Sequence, residues 1–304
     1  MSRAVLVDTT LCTGCRGCQV ACKEENGNPA EKTTFFAGPG GYQNPAKLSS
    51  NTYSLVTFNE MENGRGEPKW VFARRQCMHC VEPSCASACL VGALERQDDG
   101  ATTYDENKCI GCRYCQLVCP FGVPALEWEK TVSLIRKCDF CIDRVSDAHV
   151  PDVLNKGHST EDALDDEKRA RHVQSRKTPA CVSSCPTGAL KHGDREELLL
   201  EAKKRIYASP DRYVNHIYGE KEAGGTSWLY LASEPFEKLG LPGNLGERSF
   251  PSYTSAALGV VAPQILGVGA LLGGFYWFTR RKNGVAGAEA ESSEGRSHDG
   301  ERTS

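Results

Sequence analysis

The sequence has no excess of positive charge. Lys and Arg number 36 against 39 Asp and Glu, for a formal net charge of -3. No basic stretch makes the clustered positive face of a nucleic-acid binder. A secretory leader is also missing from the first residues. Met1–Asp8 reads MSRAVLVD, a short apolar strand pattern running almost directly into a cysteine, with no basic stretch followed by an apolar core. The twin arginines Arg74–Arg75 and Arg280–Arg281 stand far from the start. The expectation is that, if the bulk of the chain lies outside the cytoplasm, a partner carries the export signal. Hydrophobic content is ordinary, and 304 residues suffice for one or two domains with a buried core.

Cysteine is what the chain has in excess, and its sixteen cysteines fall into four tight groups. Cys12, Cys15, Cys18 and Cys22 follow C-x2-C-x2-C-x3-C. Cys77, Cys80, Cys85 and Cys89 follow C-x2-C-x4-C-x3-C, with the longer spacer Val81–Ser84. Cys109, Cys112, Cys115 and Cys119 repeat the first spacing and precede Pro120. The last group is split: Cys138 and Cys141, then Cys181 and Cys185 before Pro186. A secreted disulfide scaffold is usually short and spaces its cysteines along loops. A structural zinc site uses paired C-x2-C units with long spacers and does not need three cysteines within seven residues. A cubane needs four thiolates around one compact body. Three of them on a tight loop cap three corners, while the fourth, where a helix begins, points away and ligates the neighbouring cluster.

The spacing therefore predicts four 4Fe–4S clusters in crossed pairs. Cys12, Cys15 and Cys18 share one with Cys185; Cys138, Cys141 and Cys181 share one with Cys22. Cys77, Cys80 and Cys85 take Cys119; Cys109, Cys112 and Cys115 take Cys89. Gly14, Gly17 and Gly111 allow tight turns that bring backbone N–H groups to the sulfurs, or serve as ordinary turn glycines. His79, inside C-M-H-C, is expected to orient its loop and not to bind iron. Each oxidised cluster with its thiolates carries about two negative charges. Arg74, Arg75, Arg113 and Lys137 lie near the cysteine runs and are expected to be surface charges.

Between the first two groups, Ser54–Phe58 and Trp70–Arg74 read as strands, with turn chemistry at Asn63–Gly64 and Gly66, and predict a β-hairpin packed on the cluster core. Asp143–Pro179, with fifteen charged residues in 37, reads as a solvated insertion, helical around Thr160–His172. Its His149, His158 and His172 are expected as surface residues. Arg195–Tyr207 has helical periodicity with acids early and bases late, and Trp228–Ala232 reads as a strand. Thr254–Thr279 holds 26 residues without a charge, enough to span a bilayer, with Tyr276 and Trp277 near its end and Arg280–Arg281–Lys282 after it. The positive-inside rule then places the C-terminal end in the cytoplasm and the cluster domain on the other side, the periplasm in a Gram-negative cell. A buried core helix is the competing reading. The expected fold class is α+β: a duplicated ferredoxin-like domain over residues 1–245, one transmembrane helix with its flanks over 250–282, and a disordered tail over 283–304.

Nearly the whole chain, Val5 to Lys282, resembles the iron–sulfur (beta) subunit of membrane-bound respiratory formate dehydrogenases. The likeness is carried by Asn44–Pro45–Ala46 with Leu48–Ser49, Cys77–Met78–His79–Cys80, Cys109–Ile110–Gly111–Cys112 and Cys119–Pro120–Phe121. It continues through Cys185–Pro186–Thr187–Gly188–Ala189, Gly224–Gly225–Thr226 and Gly240–Leu241–Pro242 to the single C-terminal helix. It implies a catalytic molybdenum or tungsten pterin subunit that oxidises formate, electron relay through the clusters, and a membrane cytochrome b or quinone-reactive subunit as acceptor. No catalytic residue is expected in this chain. The Asp143–Pro179 insertion is longer than that family's link. Tyr218–Glu222, Leu229–Tyr230–Leu231 and Leu239–Pro242 look equally like the iron–sulfur subunit of membrane uptake hydrogenases. A relay serving a hydrogenase or another molybdenum enzyme, and a zinc-stapled adaptor, are the alternatives.

Overall fold

The computed structural model describes residues 2–34, 42–62, 64, 66–131, 133–145 and 177–298, with side chains described up to Val285. Most of the Asp143–Pro179 insertion, with the expected helix at Thr160–His172 and with His149, His158 and His172, lies outside the described residues. The chain divides into two units, Met1–Pro251 and Ser252–Ser304.

The first unit is organised around β1 (Arg3–Asp8). This strand pairs antiparallel with β8 (Leu190–Asp194) and parallel with β9 (Trp228–Leu231), with Val5 opposite His192 on one side and Trp228 on the other. Side chains alternate across a strand, so β1 serves two cores. Ala4 and Leu6, with Leu229 and Leu231, pack on Leu198, Leu199 and Ala202 of α6 (Arg195–Ala208). Val5 and Val7, with Trp228 and Tyr230, pack towards Cys77, Cys138, Cys181 and Phe140. The α6 helix begins where expected: the Asp194 carboxylate accepts from the backbone N–H groups of Glu196 and Glu197, and acids fill its first turn.

The expected hairpin is present and longer than predicted. β2 (Ser54–Glu62) and β3 (Pro68–Gln76) pair in full register from Ser54↔Gln76 to Glu62↔Pro68. Short ladders follow the second and third cysteine groups: β4 (Leu94–Arg96) with β5 (Thr102–Tyr104), and β6 (Ala125–Leu126) with β7 (Ile135–Arg136). The cysteine groups feed short helices: α1 (Gly17–Glu25), α2 (Ser84–Ser87), α3 (Tyr114–Leu117), α4 (Ile142–Val145) and α5 (Ala180–Ser183). The duplication is visible in the backbone. Arg16 and Arg113 cap α1 and α3 in the same left-handed conformation, while Pro83 and Pro179 cap α2 and α5 in extended ones.

The last helix, α7 (Phe250–His298), contains one stretch, Phe250–Val285, long and apolar enough to cross a membrane. None of its most apolar window is buried, and Leu266, Leu272, Phe275 and Trp277 are exposed, unlike the side chains of a core helix. The helical backbone runs on to His298, where a disordered tail was expected from Asn283; the Ala and Glu of this segment are strong helix formers.

Two consequences follow. At Gly219 the backbone has φ +96, and a Cβ would lie 2.2 Å from the Trp228 carbonyl oxygen. Gly219→Ala should therefore destabilise the protein by about 1–3 kcal/mol or more, read as a lowered denaturant midpoint. Gly246→Ala, with open space around it, should cost less. Burial lowers the His192 pKa to about 4 and sends that of His79 down as well. Folded imidazoles that resist protonation keep their full contribution above the unfolded pKa near 6.5 and lose it as pH falls towards 4. His192→Gln should flatten the pH dependence of unfolding in that window by up to about 2–3 kcal/mol.

Candidate metal centres

The four cysteine loops are built alike. In the first and third, Gly14 (φ +68) and Gly111 (φ +69) turn the chain between the first two cysteines. A side chain at Gly14 would collide with the Phe72 ring at 2.8 Å, and one at Gly111 would meet the Ser133 carbonyl at 3.0 Å. The turns aim backbone N–H groups at sulfur. Gly111 donates to Cys109 Sγ at 3.4 Å, Phe140 to Cys138 Sγ at 3.4 Å and Ala93 to Cys89 Sγ at 3.2 Å. Phe121, Gly122 and Val123 do the same service for Cys119. Among the described residues none of the sixteen cysteines is in a disulfide.

Folding brings the thiols together across groups. Cys12 feels the charges of Cys18, Cys185 and Cys15. These four line one hollow, with Phe72, Arg74 and Leu190. Cys22 meets Cys138, Cys141 and Cys181. Cys80 and Cys85 meet Cys77 and Cys119. Cys115 meets Cys109, Cys112 and Cys89, and those four line a second hollow with Tyr104 and Ile135. In each set, three sulfurs from one group meet a fourth from another. The sets also act on one another in single file: Cys18 of the first feels the charge of Cys181 of the second, Cys138 of the second feels Cys77 of the third, and Cys85 of the third feels Cys115 of the fourth. Cys15 and Cys112, in the two outer sets, are exposed; every cysteine of the inner sets is at least half-buried.

The donor chemistry fits iron–sulfur clusters. Soft thiolates select such metals. Among the described residues no three His, Cys, Asp or Glu side chains stand together as the shell of a single ion, which is what structural zinc demands. The outer sets instead surround hollows. Burial, then mutual repulsion, raises the thiols: Cys85 to about 12, Cys12 and Cys115 to about 11, and Cys80, Cys138 and Cys141 well above the free value. A bound metal would deprotonate them outright.

Two of the four basic residues expected at the surface are buried. Arg74 is 3% exposed and Lys137 is 6% exposed. Arg113 is exposed, its guanidinium 4.3 Å above the Trp128 ring, and Arg75 is half-buried. Lys137 Nζ donates to the Thr102 and Cys138 carbonyls, the latter at 3.1 Å, and its charge acts on Cys85. Arg74 faces Cys181, Cys18, Cys22 and Cys138; burial alone would lower its pKa, but these thiolates outweigh that and keep it charged. The missed signal is the two-residue period of β3, which sets Arg74 on the same face as Phe72 and Gln76. His79 is fully buried at φ +48, accepts from the Thr102 N–H at Nδ1 (2.9 Å) and lies 4.9 Å from the Phe140 ring. It joins two cysteine loops, as an orienting residue does.

Two family models match the chain, both described as 4Fe–4S dicluster domains, over residues 11–93 and 68–163. A protein of Nitratidesulfovibrio vulgaris is 39% identical over 95% of this chain and 70% of its own length. The nitrate-inducible formate dehydrogenase iron–sulfur subunit of Escherichia coli K12 is 34% identical over 79% of this chain and 72% of its own length. The hydrogenase-2 operon protein HybA of Escherichia coli O157:H7 is 32% identical over 79% and 73%. With two tandem ferredoxin-like 4Fe–4S domains and one long apolar C-terminal helix, the chain belongs to the family that includes the iron–sulfur subunits of formate dehydrogenase and the hydrogenase-2 operon protein HybA.

Proposed function

We propose that this chain relays electrons through four 4Fe–4S clusters, from a formate-oxidising molybdenum or tungsten pterin subunit to a membrane cytochrome b or quinone-reactive subunit. The observation that carries the reading is the single file of four cysteine sets, with exposed cysteines only in the two outer ones. Cys12, Cys15, Cys18 and Cys185 hold the first cluster; Cys22, Cys138, Cys141 and Cys181 the second. Cys77, Cys80, Cys85 and Cys119 hold the third; Cys89, Cys109, Cys112 and Cys115 the fourth. When bound, each cubane takes up and gives back one electron, with no proton to manage.

The chain's residues do the rest. Thiolates anchor, backbone N–H groups at Cys89, Cys109 and Cys138 stabilise charge on sulfur, and the apolar core around Phe140 and Trp228 keeps water from the inner sets. The chain itself is non-catalytic in this reading. The apolar helix anchors it as a single-pass protein of the inner membrane. Arg280, Arg281 and Lys282 favour a cytoplasmic C-terminus and a periplasmic cluster domain. The same relay in an uptake hydrogenase or another molybdopterin oxidoreductase is the second reading, and the similarity to HybA favours it.

Low-temperature EPR of the complex purified from membranes separates the two. Reduction of the clusters by formate supports the first reading, and reduction by hydrogen alone moves the chain to the second. Cys112→Ala should remove one cluster, about a quarter of the bound iron, and interrupt electron flux. Full flux through a stably folded Cys112→Ala protein would sink the single-file relay.

A further inference from the structure

Arg74 presents an electrostatic problem that the protein alone does not solve. The side chain sits in the middle of β3, 3% exposed, with Nε, Nη1 and Nη2 all buried and without a hydrogen-bond partner among the described residues. No Asp or Glu pairs with it there; the negative groups acting on it are Cys181, Cys18, Cys22 and Cys138. A buried charge without a partner is strongly unfavourable, and here the neighbouring cysteines are what can offset it. The guanidinium lies 4.5 Å over the fully buried Trp228 ring. The Arg74 carbonyl accepts from Tyr230 Oη at 2.7 Å, and Tyr230 Oη accepts from Gln76 Nε2 at 2.7 Å. Arg74 also lines the hollow formed by Cys12, Cys15, Cys18 and Cys185. Its thiolate neighbours therefore belong to two sets, Cys18 to the first and Cys22, Cys138 and Cys181 to the second.

We propose that the Arg74 guanidinium is a fixed counter-charge shared by the first and second clusters, raising the reduction potentials of both above what the same cysteines would give alone. The proposal rests on the relay reading, because it needs clusters in both sets. Reduction adds a negative charge to a cluster, and a neighbouring cation stabilises the reduced form more than the oxidised one. The low dielectric of the interior makes that difference large. The cysteines whose charges act most strongly on Arg74 all belong to the first two sets. Arg74 would thereby make the first two stations easier to reduce, giving one end of the relay a different poise from the other.

The test is an EPR-monitored redox titration of the intact complex, with iron and acid-labile sulfide measured on the same samples. Arg74→Met keeps most of the volume and removes the charge; Arg74→Lys keeps the charge and loses the planar fork. In Arg74→Met the reduced-to-oxidised ratio at fixed potential should fall at least tenfold for two of the four clusters, about 59 mV for a one-electron couple. The cluster missing from Cys112→Ala should be among the two that do not move. Arg74→Lys should shift the same two by less than tenfold. Unchanged ratios in Arg74→Met, or an equal shift in all four clusters, would overturn the proposal. If Arg74→Met assembles without the first two clusters, Arg74→Lys decides. Retained clusters with ratios within tenfold support a counter-charge, and lost clusters or a larger shift reject it. A wild-type complex without cubane signals would defeat the relay reading instead.

Discussion

Sixteen thiols drawn into four sets are an electrostatic burden, and the architecture depends on how that burden is relieved. Each set gathers cysteines that repel one another once ionised, and burial, then that repulsion, drives Cys85 to about 12 and Cys12 and Cys115 to about 11. A protein interior does not hold several bare thiolates together. It holds them when a multiply charged metal core takes their protons' place, and the free energy of that binding becomes folding free energy. The first set ties Cys12–Cys18 to Cys185, and the second ties Cys22 to Cys138 and Cys181. In the proposed relay, segments far apart in sequence would thereby be fastened to one body.

The sheet β8–β1–β9 supplies the frame for those ties. One face of β1 is covered by α6 and has nothing to do with the cysteines. The other face, with Trp228, Tyr230 and Phe140, is the wall on which the inner sets rest. The same wall meets the two buried cations: Arg74 packs on Trp228, and Lys137 hydrogen-bonds the carbonyl of Cys138. Backbone carbonyls satisfy Lys137, while cysteines of two sets supply the negative charge around Arg74.

Much of this was legible in the residues. Cysteine spacing suits a compact four-thiol body, and the cysteines expected to share a set are ones that the fold brings within reach of one another's charge. The period of Arg195–Tyr207 and the uncharged run Thr254–Thr279 mark the two long helices because burial and lipid each impose a pattern. The burial of Arg74 and Lys137 was not read, because a charged side chain is ordinarily a surface group and its exceptions depend on partners distant in sequence. Arg74 feels the charge of Cys181, more than a hundred residues away along the chain. The three-stranded sheet was equally hidden: β1 and β9 read as isolated strands until β8 and the parallel pairing of Val5 with Trp228 bring them together.

The central claim is that four compact iron clusters occupy these four crossed cysteine sets. Diffraction from anaerobically grown crystals of the complex, recorded at the iron absorption edge, addresses it most directly. The account predicts four separate anomalous peaks in this chain, each bounded by three sulfurs of one cysteine group and a fourth from another. Peaks enclosed by the four cysteines of a single run, or anomalous signal at the zinc edge in their place, would contradict it.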